Sequence, residues 1–180
     1  LAGLALMLAL YLSKTPAETS GLLFNISHPL HVLFSALTTS AMLRLHRERR
    51  LWQIIPIAYI VAVSTATVSD CLIPFVGEWL LDLPNRGLHL GFIEEWQIVN
   101  PAAWLGIACG SWRPRTKVPH MTHVLISTWA SLFHITMAMT GAPLMLDFLL
   151  IGAFLFLAVW LPCCASDIVF PLLFAHEPGP

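Results

Sequence analysis

Apolar residues along this chain come in long runs, not in the every-other-residue alternation of a half-buried strand. After the opening "LAGLALMLALYL", such runs lie at about 29–45, 52–74, 98–112, 118–139 and 144–173. About 20 apolar residues carry a helix across a hydrocarbon core of about 30 Å, and each run reaches or approaches that length. The pattern predicts an all-α integral membrane protein with six transmembrane helices. Five are expected if the first segment is a cleaved signal core or lies in the interface. The opening run has neither an initiator Met nor a basic flank, so it reads as a helix that begins further upstream.

The polar positions inside the runs repeat. H-x-x-H-V-L-x-S occurs at His28 and again at His120, and S-D-x-x-x-P occurs at Ser69 and again at Ser166. The order is the same both times, which points to internal duplication: a first three-helix unit over 1–83, an acidic loop over 84–97, and a second unit over 98–180. With three helices per unit, the second must enter the membrane from the opposite side, as in the inverted repeats of many secondary transporters.

Charge gives the same orientation independently. "RLHRERR" (44–50) and "WRPRTK" (112–117) are strongly basic, whereas "GEWLLDLPNRGLHLGFIEEW" (77–96) holds four acids and one base. The positive-inside rule then puts the two basic loops and both termini in the cytoplasm and the acidic loop outside. This predicts His28 near the outer face and His120 near the inner one, in a plasma or inner membrane.

Composition agrees. Charged residues are 11% of the chain, against about 25% in soluble domains, so lipid is the expected solvent. The net charge of −1 offers no basic surface for nucleic acid. The four cysteines form no C-x-x-C pair, and the adjacent Cys163 and Cys164 read as packing residues or lipidation sites. Nothing in the sequence excludes a homo-oligomer or a place in a larger membrane complex.

At about 100° per residue, His120, His123, Ser127, Ser131 and His134 fall within about 80° of arc, and His28, His31, Ser35, Thr39, Met42 and His46 do the same. Each helix therefore carries one narrow polar stripe, and ionisable residues in such a stripe are functional candidates. The return of the third and sixth helices brings Asp70 toward His28 and His31, and Asp167 toward His120 and His123. Two imidazoles and a carboxylate suit a divalent transition metal: zinc, nickel, manganese or iron. His89 and Glu94, with Glu78 and Glu95, enrich the outer cluster; His176 and Glu177 belong to the inner one. The expected function is binding or transport of a divalent metal cation through these duplicated clusters.

The same residues support two alternatives. His120 and His134 are fourteen residues apart, about 21 Å along a helix, which is similar to the spacing by which b-type cytochromes hold two haems. Haem b ligation would pair His31 with His134, and His123 with His46 or Met42, making an electron carrier. The outer cluster could instead activate water, making an intramembrane metal-dependent enzyme. No H-E-x-x-H, phosphate-binding loop or nucleophile elbow is present.

Overall fold

The computed structural model describes residues 2–13, 15–46, 50–114, 117–139 and 145–169, and among these it contains helices and no strands. Helix α1 is Ala2–Leu12 and α2 is Ala17–His46. Helix α3 is Leu51–Leu80, with a π-helical stretch at Thr67–Leu72. A single turn, α4 (Gly91–Glu94), precedes α5 (Trp96–Trp112) and α6 (Lys117–Ala138). Helix α7 is Met145–Cys164, continued by a π-helical Ala165–Val169. Among the described residues each of the six apolar runs falls within or overlaps a helix, the first of these helices only 11 residues long. Among the described residues one helix, Leu51–Leu80, is long and apolar enough by length and composition to cross a membrane.

Two boundaries differ from expectation in ways that move the polar residues. The apolar run starts at Pro29, yet α2 begins twelve residues earlier and takes Pro29 into its interior. Proline there forfeits its own N–H bond and crowds the carbonyl of Asn25, a distortion that packing against neighbouring helices can absorb. His28 and His31 therefore sit near the middle of α2, not at its end. Likewise α3 continues past Pro74 to Leu80, so Glu78 belongs to its last turn and is buried, not part of the loop. The chain then turns at Asp82 (φ 50°), a left-handed conformation that Asp tolerates better than most residues.

Both π-helical stretches contain the repeated Ser-Asp. In the first, Pro74 stands four residues after Asp70. Proline has no N–H for the Asp70 carbonyl, and its ring crowds that carbonyl, so the regular α ladder is weakened at this point. The wider π turn is the local solution, and such turns gather at functional sites. Asp167 and Pro171 have the same spacing in sequence; the Asp167 side chain and Pro171 lie outside the described residues.

Helix α2 is the hub, flanked by α3, α5 and α6. It runs antiparallel to α6: His31 meets His123, Phe24 meets His134, and Gly21 faces Met137. Its contact with α5 depends on Gly106 and Gly110, since a Cβ at either would collide with the carbonyl oxygen of Leu33 or Leu37. Such small-x-x-x-small spacing lets two backbones approach closely. Ala36, Leu43, Ile54, Ala58, Ala62 and Ile107 fill the space between α2, α3 and α5. Met7, Leu132, Ile135, Ile151 and Leu155 do so between α1, α6 and α7.

Candidate metal centre

The polar stripes of α2 and α6 face each other inside the bundle, where His28, His31, Ser35, Thr39, His123, Ser127, Ser131 and His134 are all buried. Helix periodicity gives each stripe, and the antiparallel crossing turns the two stripes together. Asp70, carried by the π turn of α3, reaches both histidines of the first pair. Its Oδ2 accepts from Nδ1–H of His31 at 2.7 Å and of His28 at 2.9 Å, and its Oδ1 accepts from the Ser69 hydroxyl at 2.6 Å.

A carboxylate holding Nδ1–H leaves Nε2 of His31 as the nitrogen with a free lone pair, the arrangement common behind metal-ligating histidines. That Nε2 lies 2.8 Å from Nε2 of His123 and 4.0 Å from Sγ of Cys163. The three ligand atoms all fall within 4.8 Å of one another, and all three residues are buried. Tetrahedral coordination with metal–nitrogen distances of about 2.0–2.1 Å and metal–sulfur of about 2.3 Å would set the nitrogens about 3.3 Å apart and nitrogen and sulfur about 3.6 Å apart. The His31–His123 nitrogens would move apart by about half an ångström and the His31 nitrogen and Cys163 sulfur would close by about as much to reach that geometry. An ion would replace the hydrogen bond between the two imidazoles, and three protein ligands leave one position open.

Behind the ligands runs a hydrogen-bonded chain. The Cys163 thiol lies 3.5 Å from Ser127 Oγ, Ser127 lies 3.4 Å from Ser69 Oγ, and Ser69 closes back onto Asp70. Ser131 donates to the Ser69 carbonyl at 3.0 Å, fixing the π turn against α6.

Several expectations change. His31 and His123, which the sequence assigns to different clusters, meet at one place, because α2 begins early enough to bring His31 to the crossing. His120 lies one turn before His123, toward the start of α6, and is half-buried. His89 and Glu94 pair with each other at 3.4 Å on the half-exposed loop, apart from this group. The side chains of His46 and Asp167, and all of His176 and Glu177, lie outside the described residues. The haem pairings involve His31, His134 and His123, whose described contacts are different ones, and His46, whose side chain lies outside the described residues. They assign His31 and His123 to different haems, yet these nitrogens are within hydrogen-bond distance of each other, while Nδ1 of His134 is occupied by Glu78 at 2.8 Å.

Sequence reasoning missed Cys163, which it read as packing, and the Glu78–His134 pair. The position of Cys163 three residues before the second Ser-Asp was the available signal, since that turn was already expected to face the histidines.

The single turn α4 covers His28. A Cβ on Gly91 would collide with the His28 ring, so glycine permits this closure. Burial raises the carboxyl of Glu95, in the loop beside it, above its ordinary value; His28 opposes that shift and Glu94 adds to it. No known family model, curated protein or solved structure matches the chain.

Proposed function

We propose that this chain is an integral membrane protein of two inverted three-helix repeats that binds a divalent transition-metal ion between the repeats and passes it across the bilayer. The observation that carries the reading is the convergence of His31 Nε2, His123 Nε2 and Cys163 Sγ, with Asp70 behind His31. Imidazole and thiolate favour zinc, cobalt or copper over the harder manganese, magnesium or calcium.

Membrane residence is supported by where polarity lies. Histidine, serine, threonine and aspartate fill the interior, while large apolar side chains such as Leu22, Ile60, Leu105 and Phe156 are exposed. Exposed tryptophans mark both ends of two helices: Trp52 and Trp79 on α3, Trp96 and Trp112 on α5. Amphipathic rings at those levels match the two interfaces of a bilayer, with the basic loops on the cytoplasmic side.

The inverted repeat is supported by three features. The equivalent residues His31 and His123 touch across antiparallel helices. Both Ser-Asp motifs sit in π-helical turns. Each unit's first helix packs on the other unit's second and third: α1 on α6 and α7, α5 on α2 and α3. Transport is supported by the position of the site at this interface, where such proteins hold their ions. The buried hydroxyls of Ser35 and Thr39, which have no hydrogen-bond partner among the described residues, continue the stripe beyond it.

The test is a zinc titration of the purified protein, followed by zinc flux into proteoliposomes carrying an internal zinc dye. One tight zinc per chain and flux abolished by His123→Ala are expected. Absence of tight binding would overturn the site, and binding without flux would overturn the transport step.

A further inference from the structure

Four carboxylate–imidazole pairs share one geometry: Asp70 with His28 and with His31, Glu78 with His134 and Glu94 with His89. In each the carboxylate accepts from Nδ1–H, which leaves Nε2 as the nitrogen with the lone pair. For His31 that nitrogen belongs to the metal centre. For His134 it is buried and has no hydrogen-bond partner among the described residues.

The His134 ring is not a loosely placed core residue. Glu78 is itself buried and is anchored on its other oxygen by the backbone N–H of Gly87 at 3.2 Å. Phe24 and His89 pack edge-on against the imidazole, with ring centres 5.2 and 5.7 Å away. A buried lone pair left without a donor is costly, and here the surroundings fix the ring that bears it. His89 is half-exposed and connects this place to solvent. Phe24 also stacks on His28, whose Nδ1 is held by Asp70, so the same residues lead inward to the centre.

We propose that His134 Nε2, together with His89, forms a second, outer binding site for a divalent transition-metal ion, a first stop between solvent and the buried centre. Glu78 is a positioning residue that holds the His134 ring with Nε2 available. The class of ion rests on the metal-binding reading of the centre; the residues do not.

Cobalt(II) tests this, because the two sites differ in sulfur. The full chain, purified in detergent, is titrated with cobalt while absorption is recorded, and bound cobalt is counted after equilibrium dialysis. Two cobalt ions per chain are expected. The tighter gives a thiolate-to-cobalt charge-transfer band from Cys163; the weaker gives none. His134→Ala should reduce the count to one and keep the band, and Glu78→Gln should weaken the second ion by about 10–100-fold. Far-UV circular dichroism checks each variant's helicity; if His134→Ala is not folded, Glu78→Gln and His89→Ala carry the decision. A wild-type count of one with the band present overturns the outer site and leaves His134 Nε2 to water. So does a second cobalt bound at unchanged affinity in the folded variants. A His134-dependent cobalt without any charge-transfer band keeps the outer site and overturns the centre instead.

Discussion

The carboxylate behind an imidazole decides which ring nitrogen is offered to an ion, and Asp70 makes that choice for His31. Asp70→Asn keeps the volume but replaces a carboxylate accepting three hydrogen bonds with an amide that cannot accept all of them. Metal affinity should fall by about 10–100-fold, measured by competition with a chelator of known affinity; wild-type affinity in this variant would remove Asp70 from the site. Because His31 and His123 would hold one ion, His31→Ala and His123→Ala should each abolish tight binding, where two separate end clusters would give unequal losses. Cys163→Ser should keep the fold and remove the thiolate-to-cobalt band, since a serine hydroxyl is a far poorer ligand than a thiolate. The meeting of His28 and His31 with Asp70 was legible in sequence, because periodicity gives both the helical spacing and the return of the next helix. Cys163 was not, because a small apolar-looking side chain acquires chemistry only from the neighbours that tertiary packing supplies.

At the level of elements, the decisive deformation is the π turn that carries Asp70. Pro74→Ala restores an N–H for the Asp70 carbonyl and removes the ring clash, so this stretch can relax into regular α-helix. One residue fewer in the widened turn rotates the C-terminal part of α3 by about 100° relative to its N-terminal part, which separates Asp70 from the two imidazoles. The expected outcome is unchanged helicity by circular dichroism with weakened zinc binding; full binding would show that the turn is held by packing alone. Gly106→Ala tests a different element contact. Its new Cβ meets the Leu33 carbonyl, and overpacking of this kind costs about 1–3 kcal/mol. A lowered Tm with an unchanged metal count is expected, and an unchanged Tm would mean that α2 and α5 can move apart freely. The glycine pair was readable in "GIACG", a small-x-x-x-small spacing. The start of α2 was not: "AETSGLLFNIS" is too polar to extend an apolar run, and Pro29 imitates the first position of a helix. That one boundary moved the first histidine pair from a membrane face to the middle of the bundle.

For the molecule as a whole, the two units are related in pattern but unequal in chemistry. By the offset of 97 that relates the Ser-Asp motifs, Cys163 corresponds to Ala66 and Glu78 to Ala175; by the offset of 92, His134 corresponds to Met42. A shared centre with a single thiol fits one thiolate-bound ion per chain, and on the proposed transport reading the Glu78–His134 pair at one end would give the path a direction. Such a path exists only if the units are inverted. The proposed inverted topology puts Arg50 and Arg113 on one side of the bilayer and Arg86 on the other. Single cysteines can test it in a background with Cys109→Ala and Cys164→Ala, leaving the buried Cys71 and Cys163 in place. In intact cells, a membrane-impermeant maleimide should label Arg86→Cys at once, and label Arg50→Cys and Arg113→Cys only after permeabilisation. Labelling of Arg86→Cys and Arg113→Cys under the same condition would place both ends of α5 on one side. Helix α5 would then not span, the second unit would not be inverted, and the two touching histidines would be a packing contact with no path through them.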